Sequence, residues 1–205
     1  MANATTVVVA TNNPGKIPEI KAILGDLPAM RGMSFLALGE LGDFDDPVES
    51  GDTFEENALI KARAALDATG LSMAIADDSG IVADALGGAP GVLSARWAGA
   101  HGDDLANSRK LLSEMDGIPD GQRTARFHTC VVLVARDGDD EEVIVGNGTC
   151  EGTIAHDMRG SNGFGYDPLF EPTDVPGRRM AELTPDEKNA ISHRRRALED
   201  LAGKL

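Results

Sequence analysis

Two adjacent carboxylates, Asp77 and Asp78, end the apolar run Met73-Ala74-Ile75-Ala76 and are followed by Ser79-Gly80. Strand ends are where open α/β sheets bind ligands. In an extended segment neighbouring side chains point to opposite faces, so only one of the two acids is expected in a given site. Magnesium takes oxygen ligands, commonly one or two carboxylates plus substrate phosphates, so an acid placed here could serve such a metal. It also suits a plain acidic turn. The Asp-x-Asp pattern of a phosphatase nucleophile is absent.

A second candidate is Thr11-Asn12-Asn13-Pro14-Gly15-Lys16, between the apolar run Thr6–Ala10 and a helical pattern. The first turn of a helix presents unpaired N–H groups and partial positive charge, which attract phosphate. Gly15 permits close backbone approach and Lys16 adds a movable cation. The run is not a P-loop, because Ala10 stands where a leading Gly is needed and Ile17 where Ser or Thr would hold magnesium. Glu49, in Glu49-Ser50-Gly51-Asp52-Thr53, offers another carboxylate just before a helix, where acidic residues also serve helix-start chemistry. Lys61 follows Ile60 on that helix, and periodicity does not decide between a solvated lysine and one reaching into a cleft.

Two later segments carry recognition chemistry. Gly160-Ser161-Asn162-Gly163-Phe164-Gly165-Tyr166-Asp167-Pro168 is a glycine-rich loop in which Phe164 could stack on a base and Asp167 accept a hydrogen bond; a connection with packed aromatics looks the same. Lys188, His193 and Arg194 lie in a run of donors near the C-terminus that could hold a phosphate or the carbonyl edge of a base. Positive charge there also suits a helix end. Because His193 to Arg196 are consecutive, they cannot all face one ligand.

The elements that must position these residues are legible in outline. Thr6–Ala10 reads as a strand covered on both faces. Ile17, Ile20, Ile23 and Leu24 mark a helix that Gly25 is expected to stop. Ser34–Leu38 is a short strand candidate. Thr53 and Glu56 form a capping box for a helix with Phe54, Ala58, Ala62 and Ala65/Leu66 on one side and Gly70 at its end. Asp103 to Met115 reads as a helix. Thr124–Arg136 and Glu141–Glu151 read as paired strands joined by the turn 137–140. Were that hairpin centred near Asp140, Cys130 and Cys150 would be cross-strand neighbours, expected as two buried thiols. Thr184-Pro185-Asp186-Glu187 is a second capping box, with a helical segment from Asn189 to about Leu201. Strands alternating with helices, then a long hairpin, indicate a mixed α/β fold.

Composition narrows the partners. The 205-residue chain suits one large domain or two small lobes sharing a cleft, and 19 basic against 34 acidic residues leave a net charge of −15. That opposes a general nucleic-acid binder, whose affinity rests on Lys and Arg releasing counterions, and a polybasic membrane-surface protein. No stretch reaches the ~20 apolar residues of a membrane span, and the first residues carry no basic side chain and read as leading into a first strand rather than as a signal peptide. Two cysteines make no ligand-spaced pair and no disulfide framework. A cytoplasmic protein is expected.

Taken in order, "TNNPGK", "ESGDTFEENALIKA", "IADDSGI", "LGGAPGVLSARWAG", "ARFHT", "GFGYDPLF" and "AELTPDEKNAISHR" resemble the inosine triphosphate pyrophosphatase family, the XTP/dITP diphosphatases, nearly end to end. The resemblance implies a single domain over 1–205, made of two lobes with an elongated central mixed β-sheet flanked by helices and a nucleotide cleft between the lobes. It also implies a homodimer, and magnesium-assisted hydrolysis of ITP, dITP and XTP to monophosphate and pyrophosphate. On the matching positions, Thr11 through Lys16 would hold the triphosphate, Asp78 would be general base and metal ligand, and Glu49 a second acid at the metal. Ser79 would contact substrate, Lys61 would meet phosphate, and Phe164, Gly165, Tyr166, Asp167, Lys188, His193 and Arg194 would hold the base and sugar. Two departures are Asn162, where many relatives have Gly, which bears on the loop, and Arg195, where relatives often have Gly, which bears on base selectivity. Two rival readings stay open: a house-cleaning pyrophosphatase for pyrimidine or modified nucleotides, and a non-catalytic nucleotide-binding regulator.

Overall fold

A computed structural model describes residues 5–205. It is a mixed α/β structure with a six-stranded sheet in the order β2-β1-β3-β4-β5-β6. The strands are β1 (Thr5–Val9), β2 (Met33–Ala37), β3 (Met73–Ala83), β4 (Thr124–Asp137), β5 (Asp140–Ile154) and β6 (Phe170–Pro172). The helices are α1 (Lys16–Asp26), α2 (Phe54–Thr69), α3 (Asp104–Glu114), α4 (Pro185–Ile191) and α5 (His193–Ala202). Two compact bodies are delimited. One runs to Asp78 and adds Thr129–Gly148 and Arg194–Leu205; the other comprises Ser79–His128 and Thr149–His193. No helix among the described residues is long and apolar enough to cross a membrane.

In the first body β1 pairs in parallel with β2 on one side and β3 on the other. Strand parity sorts its core into two layers. Val7, Val9, Ile75, Val131 and Leu133 pack with Ile20, Ile23 and Leu24 of α1 and with Ala197, Leu198 and Leu201 of α5. Val8, Ala10, Ala74, Ala76, Val132 and Val134 pack instead with Ala58, Ala62, Ala65 and Leu66 of α2. The chain steps from β1 out to β2 and then back across to β3, so α1 and α2 lie on opposite faces. Such a reversal leaves a crevice at the carboxyl ends of the central strands. Here those ends are Ala10, whose N–H bonds Ile75 O at 2.8 Å, and the residues after Ala76. Close approach of α5 needs Gly146 of β5, where a Cβ would stand 2.3 Å from Ala197 O and 2.6 Å from Leu201 Cβ.

The second body is built around Ile81, Leu111, Met115, Phe127, Tyr166, Leu169, Phe170, Met180 and Leu183. Buried Arg123 staples it, donating to the carbonyls of Ile154 at 2.7 Å, Met115 at 2.6 Å and Ala155 at 3.0 Å. Those bonds satisfy carbonyls that would otherwise be costly to bury.

Several sequence expectations are corrected. Gly25 lies inside α1, which runs to Asp26 and ends at extended Leu27 before Pro28. The residue before a proline is pushed out of helical geometry, and that outweighs the intrinsic weakness of one glycine. The strand expected to close at Asp77 continues to Ala83, so the two acids lie within it. The expected continuous C-terminal helix is interrupted at Ser192, whose φ of −68° and ψ of 148° are extended. The hairpin turns at Gly138-Asp139, inside the expected turn 137–140 but just ahead of a centre at Asp140. Cys130 and Cys150 are both buried but pack into different clusters, one per body. The capping boxes at Thr53/Glu56 and Thr184/Glu187, Gly70 as the left-handed end of α2, and α3 after its Asp103 cap are as expected.

Candidate functional site

Strand parity also decides where the two acids point. Asp77 shares the face of Ile75, toward α1 and α5; Asp78 shares the face of Ala74 and Ala76, toward α2. Each meets a different set of cations.

On the α1 and α5 side, Asp77 Oδ2 accepts from Lys16 Nζ at 3.1 Å and from Arg194 Nη2 and Nε at 3.2 and 3.3 Å. Arg194 also donates to Glu19 of α1, so the buried guanidinium ties the start of α5 to α1 and β3. The other oxygen, Asp77 Oδ1, is buried with no hydrogen-bond partner among the described residues. Burial alone would raise the Asp77 pKa, but Lys16, Arg194 and Lys61 together hold it far below the usual carboxylate range. Lys16 is pulled below its ordinary value by burial and by the charges of Lys61 and Arg194, which outweigh the support of Asp77 and Asp78.

On the α2 side, Lys61 Nζ sits 2.8 Å from Asp78 Oδ1 and 3.1 Å from Glu49 Oε1. Asn57 Nδ2 lies 3.4 Å from Asp78 Oδ2. Burial raises the Asp78 pKa, and Lys61 and Lys16 only partly oppose it. Burial would lower Lys61, yet Asp78, Asp77 and Glu49 outweigh it and raise its pKa. Lys16 thus responds to Lys61, and each of the two lysines to both acids. They form one charge cluster at the end of the parallel strands.

The loop after β1 is tied internally. Thr11 is buried and its hydroxyl accepts from Asn13 N at 3.1 Å; Asn13 Oδ1 accepts from Gly15 N at 2.9 Å. Asn12 Nδ2 donates to Phe44 O at 3.1 Å and to Asp46 Oδ1 at 2.9 Å, fastening the loop to the segment that carries Glu49. Asn13 and Pro14 are exposed, and Gly15 caps α1 without a side-chain bond.

Glu49 and Asp78 fit a hard divalent cation in one respect: two carboxylates converge on the single Lys61 nitrogen, a place where positive charge is already stabilised. Among the described residues no group of three or more His, Cys, Asp or Glu is arranged to hold a metal alone.

The second body holds the other candidates. Asp167 is buried and accepts from Phe164 N at 3.0 Å and Lys188 Nζ at 2.7 Å. Lys188 Nζ also lies 4.5 Å from the Phe164 ring centre, so these three residues form one unit. Gly165 N donates to Asp104 Oδ2 at 2.7 Å. Tyr166 is a core residue whose hydroxyl donates to Ser94 O at 2.8 Å. His193 stacks on Phe127 at 4.8 Å, and Ser79 is half-buried. Lys188 and His193 belong to this body and Arg194 to the other, so the boundary falls inside the first turn of α5, after the break at Ser192. Of the two departures, Asn162 needs no left-handed backbone and donates to Leu183 O at 3.0 Å. Arg195 pairs with Asp26 at 3.0 Å and Glu199 at 3.4 Å, on the helix surfaces.

Glu187 links α4 to pH. Its carboxylate bonds Arg178 and accepts from Thr184 N at 2.8 Å, and these hold its pKa down to about 2. A group with a depressed folded-state pKa contributes stability above its unfolded value, and loses it as pH falls through that range toward 2. Between pH 5 and 3 the wild-type thermal midpoint should therefore fall more steeply than that of Glu187→Gln. Parallel slopes would show that the bond carries no linkage.

Sequence reasoning passed over Asn57 and Glu19, and named Asp77 without giving it a role. For Asn57 there was a signal: a polar residue in the buried stripe of α2, beside Ala58 and one turn before Lys61. For Asp77 the strand parity was read, but not its partner set.

The Ham1 family model matches residues 7–204. The chain is 47% identical over 192 residues to the dITP/XTP pyrophosphatase of Mycolicibacterium paratuberculosis, covering 94% of this chain and 91% of that one. It is 50% identical to the dITP/XTP pyrophosphatase of Pectobacterium atrosepticum over 192 residues, 94% and 93% of the two chains. Among solved structures, a HAM1 protein from Coxiella burnetii superimposes with a TM-score of 0.79 at 42% identity, covering 97% of each chain. A nucleoside-triphosphatase / dITP/XTP pyrophosphatase from Mycobacterium abscessus gives 0.73 at 45% identity, covering 95% and 96%.

Proposed function

Because the chain belongs to the Ham1 family, we propose that it hydrolyses non-canonical purine nucleoside triphosphates, ITP, dITP and XTP, to the monophosphate and pyrophosphate. What carries the reading is the charge cluster of the first body: Asp78 and Glu49 on Lys61, with Asp77 on Lys16 one residue along the strand. Three anions and two cations at a sheet switch point suit a polyphosphate and the acid-base group that cleaves it.

In this mechanism Asp78 orients a water toward the α-phosphorus and takes its proton. A free aspartate is a weak base at neutral pH, with a pKa of about 3.9. Burial raises this one, which brings it closer to a working base. Lys16 and Lys61 bind the triphosphate and offset the charge that develops on the departing pyrophosphate. Asp78 and Glu49 would hold magnesium, which would supply charge neutralisation for the phosphates and a lowered pKa for bound water. The Thr11–Gly15 loop delivers Lys16 at the start of α1. In the second body, Lys188, kept in place by Asp167, and His193 offer donors suited to a 6-oxo purine. Adenine presents a 6-amino donor to them instead, and an unmatched buried polar group costs about 1–3 kcal/mol, roughly 5- to 150-fold in discrimination. A homodimer, which the family resemblance implies, belongs to the same reading.

The test is a panel of ITP, XTP, dITP, ATP, GTP and dTTP, with and without magnesium, with separate assays for pyrophosphate and orthophosphate. Magnesium-dependent pyrophosphate release from the first three is expected. Preference for dTTP would favour a pyrimidine house-cleaning enzyme; binding without any product would make the protein a regulator.

A further inference from the structure

We propose that Asn57 is a positioning residue that fixes the carboxylate plane of Asp78 and ties it to the loop carrying Glu49. The inference rests on the pyrophosphohydrolase reading and deepens it. Asn57 lies on the apolar stripe of α2 beside Ala58 and Ala62, and no part of it is exposed. A buried amide in such a stripe is unfavourable unless both of its ends are bonded. Both are. Gly51 N donates to Asn57 Oδ1 at 2.9 Å, and Asn57 Nδ2 faces Asp78 Oδ2 at 3.4 Å. The orientation of the amide follows from chemistry: a backbone N–H can only donate, so the oxygen must face Gly51 and the NH₂ must face the carboxylate.

The two oxygens of Asp78 therefore have different holders. Lys61 takes Oδ1 at 2.8 Å, and Asn57, one helical turn earlier on α2, takes Oδ2. A carboxylate held by one partner can turn about its Cβ–Cγ bond; one held at each oxygen cannot. Gly51 stands two residues after Glu49, so the same amide sets the loop from which Glu49 reaches Lys61 at 3.1 Å. Nothing larger than glycine fits at that loop position. A Cβ on Gly51 would stand 2.6 Å from Glu56 Cβ and 2.9 Å from Asn57 Oδ1. Gly51→Ala thus displaces the bridge without altering Asn57, Asp78 or Glu49.

The experiment compares wild type, Asn57→Ala and Gly51→Ala with dITP and magnesium, kcat being expressed per folded molecule from a denaturation curve. For each variant kcat should fall about 10- to 100-fold, as expected when a reacting group is misplaced, with KM within about threefold of wild type. A purely structural asparagine would lower the folded fraction and leave kcat per folded molecule intact. If Asn57→Ala does not fold, Gly51→Ala decides by the same split. The proposal is overturned if kcat per folded molecule stays within about threefold in the variants, or if KM alone rises. Should wild type itself release no pyrophosphate from dITP, the functional reading fails first, and this role with it.

Discussion

Asp78→Asn should keep its fold and lose turnover by about 10²- to 10⁴-fold, the range for removing a general base. Asparagine has the same shape, and Lys61 keeps Glu49 at 3.1 Å, so no buried cation is stranded. What disappears is the oxygen able to take a proton from water, together with one of the two anions available to a metal. The thermal midpoint should stay near that of wild type, because the lost carboxylate was itself unfavourably buried. Steady-state assays on dITP and XTP beside a melting curve test both halves. Folded protein turning over within a few-fold of wild type would take Asp78 out of the chemistry.

Asp77→Asn is expected to do the opposite: to unfold the protein more readily as well as to impair it. One oxygen of Asp77 holds both Lys16 and Arg194, and Arg194 is buried. Removing Asp77 leaves Arg194 with Glu19 alone and takes from Lys16 its ion-pair partner, and breaking a buried ion cluster in this way costs roughly 3–5 kcal/mol. In a chain of this size that corresponds to a fall of about 6–20 °C in the thermal midpoint. Activity should fall too, since Lys16 loses the contact that aims it. A double-mutant cycle with Lys16→Ala should be strongly non-additive, because the two residues share one interaction. Additive losses, or a midpoint within about 2 °C of wild type, would show that the Asp77 pair is not a structural keystone.

Much of the frame was open to reading because local rules act within a few residues. The capping boxes at Thr53 and Thr184, the left-handed glycine after α2 and the Val7–Val9 run each carry their own physical signature. Where local signals competed, the reading erred. Pro28 ended α1 rather than Gly25, and the strand through Asp77 and Asp78 did not stop at polar residues, because pairing with neighbouring strands satisfies its backbone.

For the site, residue types and their places on elements offered Asp78, Glu49 and Lys16 as candidates and left Lys61 open between solvent and cleft, the family resemblance alone implied the metal role of Glu49 and the phosphate role of Lys61, and strand parity separated Asp77 from Asp78. The residues' types and periodicity determine that much, since side-chain alternation is a property of any extended backbone. Which cation each acid meets is another matter. Arg194 reaches Asp77 across 117 residues of sequence, and Asn57 reaches Asp78 across 21. Those pairings depend on helices packing on opposite faces of the sheet, α1 and α5 on one and α2 on the other. Long-range packing sets them, and no local pattern encodes it.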